Sequence, residues 1–447
     1  MNERLARHAE RAVPRYTSYP TAPHFLPDFP AETYGDWLRR SAPHEPVSLY
    51  LHVPYCRKMC WYCGCNMKLA ARYAPVAAYA ETLRAEIELV SDALPEGLPV
   101  SHLHWGGGTP TALSPDDLSR TMARIAARFD IARGAELAIE SDPRTLSAEM
   151  IGTIGALGFT RASFGVQEFD TKVQAAINRI QPPEMVRSAV EGLRAAGVAA
   201  INFDLIYGLP HQSADTLVES IAIARDMRPD RIALFGYAHV PWMAKNQKMI
   251  PPEALPGPAE RADQAQRAAE ALLAAGYVAI GLDHYALPDD PMAVAARERR
   301  LRRNFQGYTT DTAETLIGLG ATAIGRTRFG HVQNIAETGA WARAIQAGVL
   351  PVAKSRALTD EDRLRAFVIE RIMCDGEVDL EEAAARFDGQ PDWWNASTLD
   401  ELEADGLLTQ HGPRIALTQA GRPLCRVVAA AFDAYLPAGA ARHSAAV

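Results

Sequence analysis

From about residue 45 to residue 285, short apolar runs alternate with helical stretches, and this alternation restricts the fold more than any other feature of the chain. Strands are predicted at "VSLYLHVP" (47–54), "HLHWGG" (102–107), "ELAIES" (136–141), "RASFGVQ" (161–167), "AINFDLIYGL" (200–209) and "RIALFGYA" (231–238). Helical patterns lie between them, for example "AAYAETLRAEIELVSDAL" (77–94) and "TLVESIAIARDM" (216–227). Strand, helix, strand in repetition means a parallel sheet with crossover helices. Six such units suit an open or partial (β/α)6 barrel; a doubly wound sheet is the alternative. The predicted strands run into "GGGTP", "ESDP", "QEFD", "DLIYGLP" and "YAHVP". In parallel α/β folds chemistry sits at those C-terminal strand ends.

At 447 residues the chain is too long for one ordinary core. We expect an N-terminal arm (1–45), a catalytic barrel with accessory elements (46–350) and a small, mainly helical, winged-helix-like C-terminal domain (351–447). The composition shifts near residue 357: residues 358–406 hold 15 acidic residues against 4 basic ones. That balance, with a net charge of 46 − 54 = −8, gives no basic face for nucleic acid. No apolar run is long enough to cross a bilayer. The start, "MNERLARHAERAVPRY", lacks the apolar core of a secretory signal, and Glu3 and Glu10 speak against a transit peptide. Six cysteines in a chain of this length make no disulfide framework, so a cytoplasmic location is expected; the chain is also expected to be a monomer.

Four of those cysteines fall within "HVPYCRKMCWYCGCN" (52–66), and their spacing is uneven. Thiolates on a short loop suit zinc or an iron–sulfur cluster. A zinc site usually pairs two knuckles, and no second knuckle follows here. Cys56, Cys60 and Cys63 form CxxxCxxC, a spacing that gives three ligands to a four-iron cluster and leaves the fourth iron open. Gly106, Gly107 and Gly108 end a predicted strand without side chains, which lets backbone approach a ligand closely.

This cysteine spacing, directly after the first strand of an α/β unit and followed by "GGGTP", resembles the radical S-adenosylmethionine (SAM) enzymes. The resemblance narrows on "PRYTSYPTA" (14–22), "LYLHVPYCRKMCWYCGCN" (49–66), "HWGGGTPT" (104–111), "FGVQEFD" (164–170), "INRIQP" (177–182), "NFDLIYGLP" (202–210), "YAHVPW" (237–242), "GLDHYA" (281–286) and "NFQGYTT" (304–310). These are similar to the oxygen-independent coproporphyrinogen III oxidases, and the match runs nearly end to end. Related haem chaperones share the barrel and form the alternative; they typically lack the "CGCN" extension and the "RYTSYPTA" arm, both of which are present. The resemblance implies a [4Fe-4S] cluster on Cys56, Cys60 and Cys63, with Cys65 as an extra thiol that need not bind iron. It implies two SAM molecules. Tyr50, Gly107, Gly108, Glu140 and Ile324 match contacts to the first, with Glu140 on the ribose hydroxyls. Tyr62, Gly108, Thr109, Gln167, Arg179, Asp204 and Ala238 match contacts to the second, with Arg179 gripping its carboxylate.

The reaction implied is reductive cleavage of SAM to a 5′-deoxyadenosyl radical. That radical takes hydrogen from a propionate side chain, which then loses CO2 and one electron to leave a vinyl group. Two propionates of coproporphyrinogen III react in this way, giving protoporphyrinogen IX. No catalytic residue beyond those holding the cluster and SAM is implied. An unidentified reductant and an electron acceptor are needed. The substrate carries four carboxylates, for which Arg15, Tyr16, Tyr19, Arg302 and Arg303 are candidate grips.

Overall fold

A strand covered on both faces is buried along its length, and β1 (Val47–Val53) is buried at every position except Tyr50. Five more strands follow: β2 (Pro99–Gly107), β3 (Asp130–Ser141), β4 (Arg161–Gln167), β5 (Ala200–Tyr207) and β6 (Arg231–Gly236). They lie side by side in chain order and all pair in parallel. A doubly wound sheet reverses its strand order at a switch point. No reversal occurs from β1 to β6, so the partial barrel is the observed solution. The computed structural model describes residues 3–387, 389 and 393–436. Positions 1–2 of the expected arm and 437–447 of the expected C-terminal domain lie outside the described residues.

Helices return the chain between strands: α1 (Ala74–Asp92), α2 (Pro115–Arg128), α3 (Ala148–Ala156), α4 (Pro183–Ala195) and α5 (Ala214–Asp226). In α4 the buried residues are Val186, Ala189, Val190 and Leu193, a spacing that places one apolar stripe on the sheet. Ser114 starts α2 by accepting the Asp117 N–H at 3.1 Å, and Ser213 starts α5 in a capping box with Thr216. Trp105, Phe164 and Phe203, from β2, β4 and β5, are among the largest fully buried side chains.

The sheet extends beyond the sequence expectation. Thr315–Leu319 pairs in parallel with β1, and Ile324–Thr327, Gly330–Asn334, Val352–Ala357 and Leu26–Pro27 continue outward. The chain divides into two compact units that do not follow the linear three-part division. One comprises Leu26–Ala275 and Ala313–Ser355 and contains the barrel strands; the other combines the segments up to Phe25, Gly276–Thr312 and from Arg356 onward.

That second unit contains helices Asp360–Cys374, Leu380–Arg386 and Ala396–Ala404 with a three-stranded antiparallel sheet of Glu377–Asp379, Arg414–Leu417 and Leu408–His411. This order of helices and hairpin is the winged-helix-like arrangement. Val13, Tyr16 and Tyr19 share its core with Leu364, Val368, Ile372, Leu402 and Phe432. Buried Arg426 donates to the carbonyls of Pro14 (3.0 Å) and Val13. Arg303 donates to those of Tyr16 (3.2 Å) and Arg15 (3.1 Å). Among the described residues no helix is long and apolar enough to cross a membrane.

Candidate functional site

The cysteine loop leaves the end of β1 and closes on itself. Tyr55–Cys56 pairs in parallel with Lys68–Leu69, and the Ala70 N–H donates to the Cys56 carbonyl at 2.9 Å. Cys56 and Cys60 are buried, Cys63 is half-buried and Cys65 is exposed. Each sulfur has different neighbours. Cys56 Sγ lies 3.3 Å from the Thr109 hydroxyl, and burial pushes its thiol up to about 11 against that hydrogen bond. Cys60 Sγ accepts from Arg144 Nη2 at 3.1 Å and Arg179 Nη1 at 3.3 Å. Cys63 Sγ accepts from the Cys65 N–H at 3.4 Å. Hydrogen bonding from the Cys65 thiol, with that N–H and the Arg179 charge, outweighs burial and draws Cys63 down to about 7.

The floor beside this loop is the glycine end of β2. A Cβ on Gly106 would lie 2.7 Å from Glu140 Oε1, and one on Gly108 would lie 2.9 Å from the Tyr55 carbonyl. Gly107 has φ +113, open to glycine alone. The register sets Tyr50 beside His104, and their rings stack at 5.9 Å. His104 Nε2 meets Glu140 Oε1 at 3.1 Å, and the Gly107 N–H donates to Glu140 Oε2 at 3.3 Å. Glu140 is thereby aimed across the strand ends with part of its carboxylate exposed. The Tyr50 hydroxyl lies 3.0 Å from buried His52, whose burial favours the neutral ring. Gly318 is the register partner of Tyr50, and a Cβ there would lie 2.7 Å from the Ile324 carbonyl carbon, so Ile324 stands two strands from Tyr50, across the strand Thr315–Leu319.

A second group gathers at the ends of β4 and β5. Gln167 has φ 67, follows a register shift in β4, and its buried Oε1 has no hydrogen-bond partner among the described residues. A left-handed conformation on a residue other than glycine is a cost that clusters at functional positions. Gly165 pairs with Asp204, and a Cβ on Gly165 would lie 2.5 Å from Gln167 Nε2 and 3.0 Å from Arg179 Nη2. Gly165 is thus the flat point around which Gln167, Arg179 and Asp204 assemble. Arg179 departs from the sequence expectation of a fork open to a ligand carboxylate. Its Nε and Nη2 donate to the Gly165 carbonyl, and its Nη1 points at Cys60.

Sequence reasoning missed Asn246 and Gln247. The single amide of Asn246 donates to the carbonyls of Cys60 (3.0 Å), Trp61 (3.1 Å) and Cys63 (2.8 Å). Gln247 Nε2 donates to Tyr62 O at 2.8 Å and Ala238 O at 3.2 Å, which joins two expected site residues through their backbones. No periodicity or motif marks "KNQK" in the sequence. Asn178 adds a third clamp, donating to the Met59 carbonyl at 2.8 Å. The candidate grips behave differently. Arg302 pairs with Glu370 at 3.0 Å, Arg303 ties down the arm carbonyls, Tyr16 donates to Asp433 at 3.0 Å, and the Tyr19 hydroxyl accepts from Ala434 N at 3.0 Å. The partners shown for these four lie inside their own unit.

Cys56, Cys60 and Cys63, three free thiols on one short loop, are a donor set that suits an iron–sulfur cluster. Zinc requires donors around one atom, whereas a cluster takes each thiolate on a different iron. The side-chain-free strand end and the orphan Gln167 carbonyl provide room and an unmet acceptor for a small polar ligand next to the loop.

The barrel and its cysteine loop define a class: residues 50–224 match the family model of the Radical SAM superfamily. Residues 358–424 match that of the HemN C-terminal domain. The oxygen-independent coproporphyrinogen III oxidase of Bradyrhizobium diazoefficiens is 51% identical over 98% of this chain and 98% of its own length. That of Paracoccus denitrificans is 43% identical over 100% and 98%. The solved coproporphyrinogen III oxidase of Escherichia coli, described as a radical SAM enzyme, superposes with a TM-score of 0.91 at 35% identity, covering 95% of this chain and 100% of that one. This chain belongs to the oxygen-independent coproporphyrinogen III oxidase family.

Proposed function

We propose that the chain converts coproporphyrinogen III to protoporphyrinogen IX without oxygen, by oxidative decarboxylation of two propionate side chains to vinyl groups. The observation that carries this reading is the seating of Cys56, Cys60 and Cys63 against a glycine floor, with Glu140 aimed across the same strand ends. A [4Fe-4S] cluster and SAM, when bound, supply a 5′-deoxyadenosyl radical that abstracts hydrogen.

The residues divide the remaining work. Cys56, Cys60 and Cys63 hold the cluster. Tyr50, Gly107, Gly108, Glu140 and Ile324 hold the first SAM, Glu140 accepting from its ribose hydroxyls while His104 and the Gly107 N–H fix the carboxylate's direction. Tyr62, Gly108, Thr109, Gln167, Arg179, Asp204 and Ala238 surround the second, and the unpaired Gln167 Oε1 supplies an acceptor ready for a ligand N–H or O–H. Burial around Cys56 and Cys60 keeps water away from the reacting region. Six free thiols agree with work in a reducing cytoplasm, with an external reductant and electron acceptor.

The test is anaerobic incubation of reconstituted protein with coproporphyrinogen III, SAM and dithionite, together with a chemical electron acceptor. Protoporphyrinogen IX and 5′-deoxyadenosine are expected. A cluster-loaded chain that cleaves SAM yet leaves coproporphyrinogen III unchanged overturns the substrate assignment.

A further inference from the structure

Cys60 lies in surroundings already charged to receive it. Arg144 is pinned on Asp142: its Nε sits 2.9 and 3.1 Å from the two carboxylate oxygens, and its Nη2 lies 2.6 Å from Oδ2. The Arg144 backbone N–H also donates to Asp142 Oδ1 at 3.0 Å, so the two residues form one locked turn. Nη1 reaches the Asn178 carbonyl at 3.3 Å, and Nη2 continues to Cys60 Sγ at 3.1 Å. Arg179 approaches the same sulfur from the other side and lies 3.6 Å from Asp142. The side chains of Arg144, Asp142 and Arg179 are only 2%, 9% and 6% exposed.

Two buried guanidinium groups and one carboxylate leave one positive charge uncompensated. Burying a charge without a partner is costly, and a cluster-bound Cys60 thiolate would offset it. The radical SAM reading of the loop makes that thiolate a cluster ligand, and the following inference rests on it. We propose that Arg144, oriented by Asp142, sets the reduction potential of the cluster through its hydrogen bond to the Cys60 sulfur. The physical reason is direct. Reduction adds one electron to the cluster, and cationic N–H donors at a ligand sulfur favour the more negative state, which raises the potential. Asp142 fixes the donor and offsets part of its charge. Arg144 is a positioning and tuning residue here, acting on the cluster through Cys60.

The pair gives opposite-signed outcomes. Arg144→Gln should lower the midpoint potential of the reconstituted cluster relative to wild type. Asp142→Asn, which leaves both arginines less compensated, should raise it. Midpoints are read by anaerobic redox titration with visible absorbance and electron paramagnetic resonance, without SAM, at iron contents matched to wild type. Arg144→Lys keeps the charge without the fixed fork and should fall between Arg144→Gln and wild type; it stands in if Arg144→Gln holds no cluster. Shifts in the same direction, or midpoints equal to wild type, overturn the proposal. A wild-type chain that takes up no four-iron cluster overturns the reading of the cysteine loop instead, so the two failures are distinct.

Discussion

Glu140 shows how a single carboxylate is prepared by its neighbours. It accepts from the Gly107 N–H and meets His104, yet keeps an exposed edge. Glu140→Ala should weaken SAM binding by roughly ten- to a hundred-fold, the worth of about 1.5–3 kcal/mol of charged hydrogen bonding, while the iron content stays at the wild-type level. Anaerobic equilibrium dialysis measures this, and an unchanged Kd removes Glu140 from the site. Glu86 makes a different point. It is fully buried on α1 and accepts from the Gly320 N–H at 2.6 Å and Asn334 Nδ2 at 2.7 Å. Burial pushes its carboxyl from 4.5 up to about 7, against the pull of those donors. Between those values the folded chain holds a proton that the unfolded chain has released. The contribution of Glu86 to stability therefore falls by roughly 3 kcal/mol as pH rises through that window, and is flat above it. Glu86→Gln should remove this slope in urea denaturation between pH 4.5 and 7.5; a slope equal to that of wild type shows that Glu86 does not titrate there. As candidates, Cys56, Cys60 and Cys63 stand out by spacing, and the glycines stand out because they follow that cysteine loop. Glu140, Gln167, Arg179 and Asp204 become candidates only through resemblance, because a lone polar residue at a strand end has no pattern of its own.

The six barrel strands were readable as elements because each carries a buried apolar stretch, Leu137–Ile139 in β3 for instance, even where part of the strand is exposed. The outer strands were not. Ile324–Thr327 reads "IGRT" and Gly330–Asn334 reads "GHVQN", and antiparallel strands of this kind mix polar residues and glycine in runs too short to show a period. The loop carrying Asn246 and Gln247 was invisible for a related reason: its work is done by amide side chains on distant backbone carbonyls, which leaves no periodic trace. That segment nonetheless clamps the cysteine loop, together with Asn178. Asn246→Ala leaves the carbonyls of Cys60, Trp61 and Cys63 without their shared donor, a loss of about 1–3 kcal/mol confined to one loop. The expected result is a protein with near-native circular dichroism whose iron is stripped several-fold faster by a chelator. Iron release at the wild-type rate shows that the clamp is dispensable.

At the scale of the whole molecule, the second unit is stitched from three separate stretches of chain. Tyr16 and Tyr19 are 4% exposed in a core otherwise built largely from residues beyond 360. Truncation after residue 357 removes that core and uncovers both rings and Val13, at about 1.5–3 kcal/mol for each large apolar side chain. The truncated chain should be recovered mainly as aggregate, or with residues 1–25 cut by protease at concentrations that spare the full chain. A soluble, protease-resistant product of wild-type helicity is the contrary result. The linear division into arm, barrel and C-terminal domain follows sequence order, and no local signal reports that the first residues are completed by the last. This has a consequence for biosynthesis. Residues 13–19 leave the ribosome early, and the segment that covers them is made some four hundred residues later, about 20–80 seconds at ordinary elongation rates. Until residues 364–432 are made, the nascent chain carries these apolar rings uncovered.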